Sequence, residues 1–129
     1  MKFKNIHYYL YNDSTTKIVD LDIESITAIV LEYKSVIFVP WISKKVFRVD
    51  FIIHQNDNNL DKFYFTVNMN EFQIKVFRKL ISKKYIIKLI ESFCKNPDFC
   101  MIKGDYYVAA DSPVYSILYN EICSQEIYL

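Results

Sequence analysis

The sequence predicts a single α+β domain spanning residues 1–129: an antiparallel sheet of hairpins and meander in the N-terminal half, with two or three helices packed on one face. Three observations carry this reading. Apolar residues alternate at period two through much of the first 67 positions, the period lengthens to that of a helix after Asn70, and no regular β–α–β alternation is present. The chain of 129 residues fits one hydrophobic core, and 52% hydrophobic with 24% charged residues is the composition of a folded domain.

Taken in order, residues 3–11 are β-prone and stop at Asn12, Asp13 and Ser14, whose side chains bond neighbouring backbone in turns. In residues 18–24, Val19, Leu21 and Ile23 alternate with Asp20, Asp22 and Glu24, the pattern of a half-buried strand. Residues 25–33 fit a helical stripe through Ile26, Ile29, Val30 and Tyr33, yet their Ile, Thr and Val content favours strand. The apolar run 35–42 contains Pro40, which places it at an edge or a bulge. Phe47, Val49, Phe51 and Ile53 alternate with Arg48, Asp50 and Ile52. A polar loop follows, and then Phe63, Phe65 and Val67 alternate with Tyr64 and Thr66, which makes a hairpin.

Asn68 or Asn70 can cap a helix running to about Ser82, with Phe72, Val76 and Leu80 at spacing four and Phe77 and Ile81 beside them. A second stripe, Ile86, Ile87, Ile90, Phe93 and Cys94, ends at Asn96 and Pro97; one bent helix and two helices fit equally. Residues 99–102 and 106–110 flank Lys103, Gly104 and Asp105 as a short hairpin, and Ser112 with Pro113 is the start signal of a last helix through about Cys123.

Gly104 is the only glycine, which excludes the multi-glycine loops that cradle phosphate and the sharp elbows that present a nucleophile. Cys94, Cys100 and Cys123 are odd in number and lack C-x-x-C spacing, so they read as buried thiols, with no metal or other cofactor implied. Trp41 reads as a core anchor. No stretch approaches the roughly 18 apolar residues of a membrane span, and the first ten residues lack a signal core, so a cytoplasmic protein with no membrane partner is expected. His7 and His54 are the only bases suited to neutral pH, and neither is tied to a nucleophile by a motif, so no enzyme is expected.

Charge is distributed unevenly. Residues 1–43 carry four basic and five acidic groups, residues 44–103 twelve and six, and residues 104–129 none and four. Asp20, Asp22 and Glu24 fall on one face of their strand about 6.6 Å apart, as a solvated face, as a ladder for a basic partner or as a metal site, the last lacking a second carboxylate or histidine cluster to complete it. Tyr115 and Tyr119, at helical spacing near Glu121, extend this surface together with Glu126, since Tyr buries large area at low entropic cost. The competing surface is basic. Lys75, Arg78, Lys79, Lys83, Lys84 and Lys88 occur in a stretch with no acidic residue, either as a solvated helix face or as a binding surface for phosphate groups.

This profile resembles in kind the small single-domain immunity proteins that neutralise toxin domains in bacterial competition systems such as contact-dependent growth inhibition. The resemblance spans the whole chain and is carried by its size, AT-rich coding character, aromatic content, segregated acidic residues and lack of a catalytic motif. No residue-specific motif accompanies it. It implies one cognate toxin, often a basic nuclease domain, bound through the acidic, Tyr-rich surface. The alternative is a nucleic-acid or phosphoprotein binding module using the basic helical region 75–88.

Overall fold

The computed structural model describes residues 2–10, 13, 15–35, 45–56, 62–104, 106 and 119–129. In chain order the elements are β1 (Lys2–Leu10), β2 (Lys17–Ser35), β3 (Lys45–Gln55), β4 (Lys62–Met69), α1 (Glu71–Leu80), α2 (Lys83–Cys94), β5 (Met101–Lys103) and β6 (Tyr119–Tyr128). The strands form one sheet in the order β1-β5-β4-β3-β2-β6, and β1 also pairs with β2. Five strands therefore close into a ring, with β6 attached outside it.

The organising element is β2, 19 residues long. One edge pairs with β3; the other is shared, β1 lying against residues 17–22 and β6 against residues 27–35. The stretch that fits both helix and strand is strand, because both of its edges find backbone partners. The β3–β4 hairpin follows the expected register, with Val49 beside Val67 and Phe51 beside Phe65. At the turn before β2, the Asp13 carboxylate accepts the Thr15 N–H at 2.9 Å.

Three expectations are corrected. The sheet is mixed, because β5 runs parallel to β1 from Tyr8 beside Met101 to Leu10 beside Lys103. Met101–Lys103 does not begin the expected hairpin: it inserts between β1 and β4, and Tyr106 lies outside any strand. Residues 119–123 are strand where helix was expected, since the open edge of β2 offers this β-prone Tyr- and Ile-containing segment a ladder from Thr27 beside Tyr128 to Ser35 beside Tyr119. The start signal Ser112–Pro113, the run 36–42 with Pro40 and Trp41, residues 107–110 and Tyr115 lie outside the described residues.

Among the described residues, two helices pack on the sheet. Asn70 caps α1 reciprocally: its side chain accepts the Gln73 N–H at 2.8 Å, and the Gln73 side chain accepts the Asn70 N–H at 2.9 Å. Ile81 then leaves helical geometry, and the Ser82 hydroxyl starts α2 by accepting the Tyr85 N–H at 3.1 Å. The faces of α1 are turned relative to the expected stripe. Ile74 and Phe77 are buried, whereas Phe72 is 74% and Leu80 52% exposed. The ten-residue helix carries two apolar arcs, and the sheet accommodates only one.

That buried arc joins Ile86 and Ile90 of α2 and the inward residues Ile6, Leu21, Ile26, Val30, Phe51, Phe63 and Met101 in the main core. Phe51 stacks on Phe65 at 4.9 Å between ring centres and meets the Phe77 edge at 5.9 Å. A smaller second core of Ile29, Leu31, Ile52, Tyr64 and Ile102 covers the opposite face, with Tyr33 and Tyr106 packed on it. The outer face is therefore buried around this second core and exposed at Asp20, Glu24, Glu126 and Tyr128.

Candidate functional site

The alternation of β2 sets the direction of its carboxylates. Leu21 and Ile23 point inward, so Asp20, Asp22 and Glu24 point outward. A register shift between Ile23 and Ser25 then resets the parity, after which Ile26, Ala28 and Val30 point inward and Thr27, Ile29 and Leu31 outward. Across the β2–β6 seam Glu126 sits beside Ile29 and Tyr128 beside Thr27, and therefore on the same outer face. From position 20 to position 29 of β2 this face carries carboxylates over roughly 30 Å, at about 3.3 Å per residue.

Two of these groups are engaged by the fold. Asn5 adopts φ 59° at an irregularity in β1, a conformation Asn tolerates, and its N–H donates to Asp20 Oδ1 at 3.0 Å. The side chain of Asn56 holds the Asp22 carboxyl below its usual range, with the Lys2 charge adding to the effect. Glu24 and Glu126 are exposed; Tyr128, 73% exposed on that face, donates its hydroxyl to Glu126 Oε2. Tyr119 and Glu121 lie on β6, with Glu121 in register beside Tyr33.

All six candidate basic residues are exposed. The break at Ile81 and Ser82 divides them, Lys75, Arg78 and Lys79 on α1 and Lys83, Lys84 and Lys88 on α2, so they do not form one continuous helical stripe. Arg78 stacks over the Phe47 ring at 5.6 Å, and Lys83 Nζ donates to the Glu24 carbonyl. Exposed Phe72 and Leu80 flank the α1 cations.

The most heavily bonded cluster was not visible as a site in the sequence. Asp50 is fully buried and Arg48 5% exposed. Arg48 Nε and Nη2 donate to the two Asp50 oxygens at 2.8 and 3.0 Å, Thr66 Oγ1 donates at 2.7 Å, and the Tyr106 hydroxyl donates to Oδ2. Burial and the adjacent Asp50 raise the Tyr106 phenol well above its usual range. With four donors on one carboxylate, the cluster serves as a fastening that ties Tyr106 to the outer face. Arg48 and Asp50 at i and i+2 share a strand face, which predicts their contact; the signal that the face is covered was Ile52 in the same row.

The histidines do not meet. His7 sits beside Ile18 and His54 beside Ser25, roughly 23 Å apart along β2. His54 Nε2 lies 3.0 Å from Thr27 Oγ1, and burial with the nearby Lys62 charge lowers its pKa. His7 lines a shallow depression with Asn5, Ile6, Cys94, Asn96, Pro97 and Phe99. Burial and Glu91 push the Cys94 thiol up, away from the thiolate a nucleophile requires. Among the described residues no three His, Cys, Asp or Glu side chains are placed to hold a metal, and no helix is long and apolar enough to cross a membrane. No protein-family model, curated protein or solved structure matches the chain.

Proposed function

We propose that this chain is an immunity-type inhibitor that binds and neutralises a basic toxin domain through its outer sheet face. The observation that supports this reading is the placement of Asp20, Asp22, Glu24 and Glu126, with Tyr128, on one face, in a chain whose last 26 residues contain no Lys or Arg. Carboxylates in such a row accelerate encounter with a cationic partner, and a phenol at the rim adds buried area once contact is made.

The test is affinity capture from the producing cell at roughly 0.1 M and 0.5 M salt, which changes the screening of exposed charges severalfold. The expected result is one stoichiometric basic protein whose activity the chain inhibits, held more weakly when Glu24→Lys and Glu126→Lys are combined. These two carboxylates are chosen because neither bonds the backbone of a neighbouring strand. Capture that is indifferent to the double reversal refutes the surface assignment.

Exposed Phe72 beside Lys75 and Lys79 supports a second reading, a nucleic-acid or phosphoprotein module, because single strands are held by cations along the backbone and by stacking on aromatic rings. Fluorescence anisotropy with a single-stranded oligonucleotide tests the nucleic-acid arm. It predicts affinity that falls steeply with salt and drops further in Phe72→Ala.

A further inference from the structure

We propose that β6 is an acceptor edge that takes an extended, basic strand of a partner protein by β-augmentation. The proposal rests on the protein-binding reading above and specifies how such a partner is held.

The argument begins with the backbone. Leu129 and Ile26 exchange both N–H···O bonds, at 2.8 and 3.0 Å. Bonded and non-bonded pairs alternate along an antiparallel ladder, so Ile127 and Gln125 also direct their N–H and C=O groups at β2. Tyr128, Glu126 and Ser124 consequently direct theirs away from β2, along the outer edge of the sheet. Among the described residues β6 ends the strand order, and Gln125, Glu126 and Tyr128 are exposed. The irregularity of the seam lies between Glu32 and Tyr33, leaving the ladder from Thr27 to Leu31 regular.

Strand edges are ordinarily guarded by Lys, Pro or a bulge. Residues 119–128 contain no Lys, Arg or Pro, and their only charges are Glu121 and Glu126. The charge selects the occupant. An added strand brings its side chains within about 5 Å of those on β6, where like charges destabilise and opposite charges stabilise. A second copy of β6 would carry the same two carboxylates to the seam, whereas a strand with alternating Lys or Arg neutralises them. The augmenting strand supplies main-chain hydrogen bonds for affinity and alternate side chains for specificity.

The test uses the full ¹⁵N-labelled chain and, as probe, an acetylated eight-residue peptide of alternating Lys and Val. Binding is expected to perturb the amides of Glu126 and Tyr128 and slow their exchange, and to weaken with salt. Tyr128→Pro removes one outward N–H, and Tyr128→Phe keeps it while deleting the hydroxyl. Affinity should fall roughly fivefold or more in the proline variant, the loss of about one hydrogen bond, and stay within twofold in the phenylalanine variant. Circular dichroism confirms that each remains folded.

Perturbation centred elsewhere, equal binding of a Glu–Val peptide, or no binding at millimolar peptide overturns the proposal. Protection of the same amides by concentration-dependent self-association, with no peptide present, overturns the choice of occupant in favour of a second copy. Peptide binding at β6 together with failure to capture a basic protein from cells leaves the edge standing and refutes the inhibitor reading.

Discussion

Removing Asp50 tests whether the outer-face cluster fastens the fold. In Asp50→Ala, Arg48 stays 5% exposed and loses its two bonds to the Asp50 carboxylate, and the Thr66 and Tyr106 hydroxyls each lose an acceptor. Removing one partner of a buried ion pair costs about 3–5 kcal/mol. Against a total stability of about 5–15 kcal/mol for a domain, a loss near 4 kcal/mol is severe. With a urea m-value of about 2 kcal/mol per molar, the midpoint should drop by roughly 2 M, read by far-ultraviolet circular dichroism.

The double variant Arg48→Met with Asp50→Ala removes both charges. It should cost only about 1–2 kcal/mol, because what remains is two displaced hydroxyls and a small void. The coupling between the two positions is then at least about 2 kcal/mol, within the range measured for residues in one network. A single variant that loses less than about 1 kcal/mol, or a double variant whose loss equals the sum of the singles, refutes the claim that a desolvated pair is being broken.

Three further outcomes are expected. Phe77→Ala should cost about 3–5 kcal/mol and Phe72→Ala less than about 0.5 kcal/mol, since Phe77 is 1% and Phe72 74% exposed; equal costs in denaturant titration would contradict the orientation of α1. Asn70→Ala should cost about 1 kcal/mol by opening the reciprocal cap, and Gln73→Ala introduced on top of it should add little. Because burial lowers the His54 pKa, the unfolded chain binds a proton more readily than the folded one between the folded pKa and about 6.5. The His54 contribution is therefore present above pH 6.5 and lost as pH falls through that window. Thermal melts of His54→Gln between pH 7.5 and 5 should show a shallower decline than the parent, and parallel curves would refute the assignment.

What the sequence by itself determined follows from local chemistry. Period-two alternation separated Leu21 and Ile23 from Asp20, Asp22 and Glu24; the hairpin of Phe51 and Phe65 was set by two matched apolar rows; Asn70 and Ser82 provide side-chain acceptors where helices need them. Each of these depends on residues within a few positions of one another. Alternation says which side chains share a face and is silent about what covers it, so Arg48 and Asp50 read as ordinary outward positions although the outer face is buried around them.

Tertiary structure decided the rest, through backbone pairing that carries little residue signature. The N–H and C=O groups of β2 accept any strand able to lie flat, which is how residues 119–123 joined the sheet and how Met101–Lys103 came to lie between β1 and β4. The same non-local geometry brought Glu126 to the face of Asp20, Asp22 and Glu24, and put Tyr106 on a carboxylate 56 positions earlier. Sequence periodicity assigns each residue a side, and the hydrogen-bond partners available at a distant strand edge determine what that side meets.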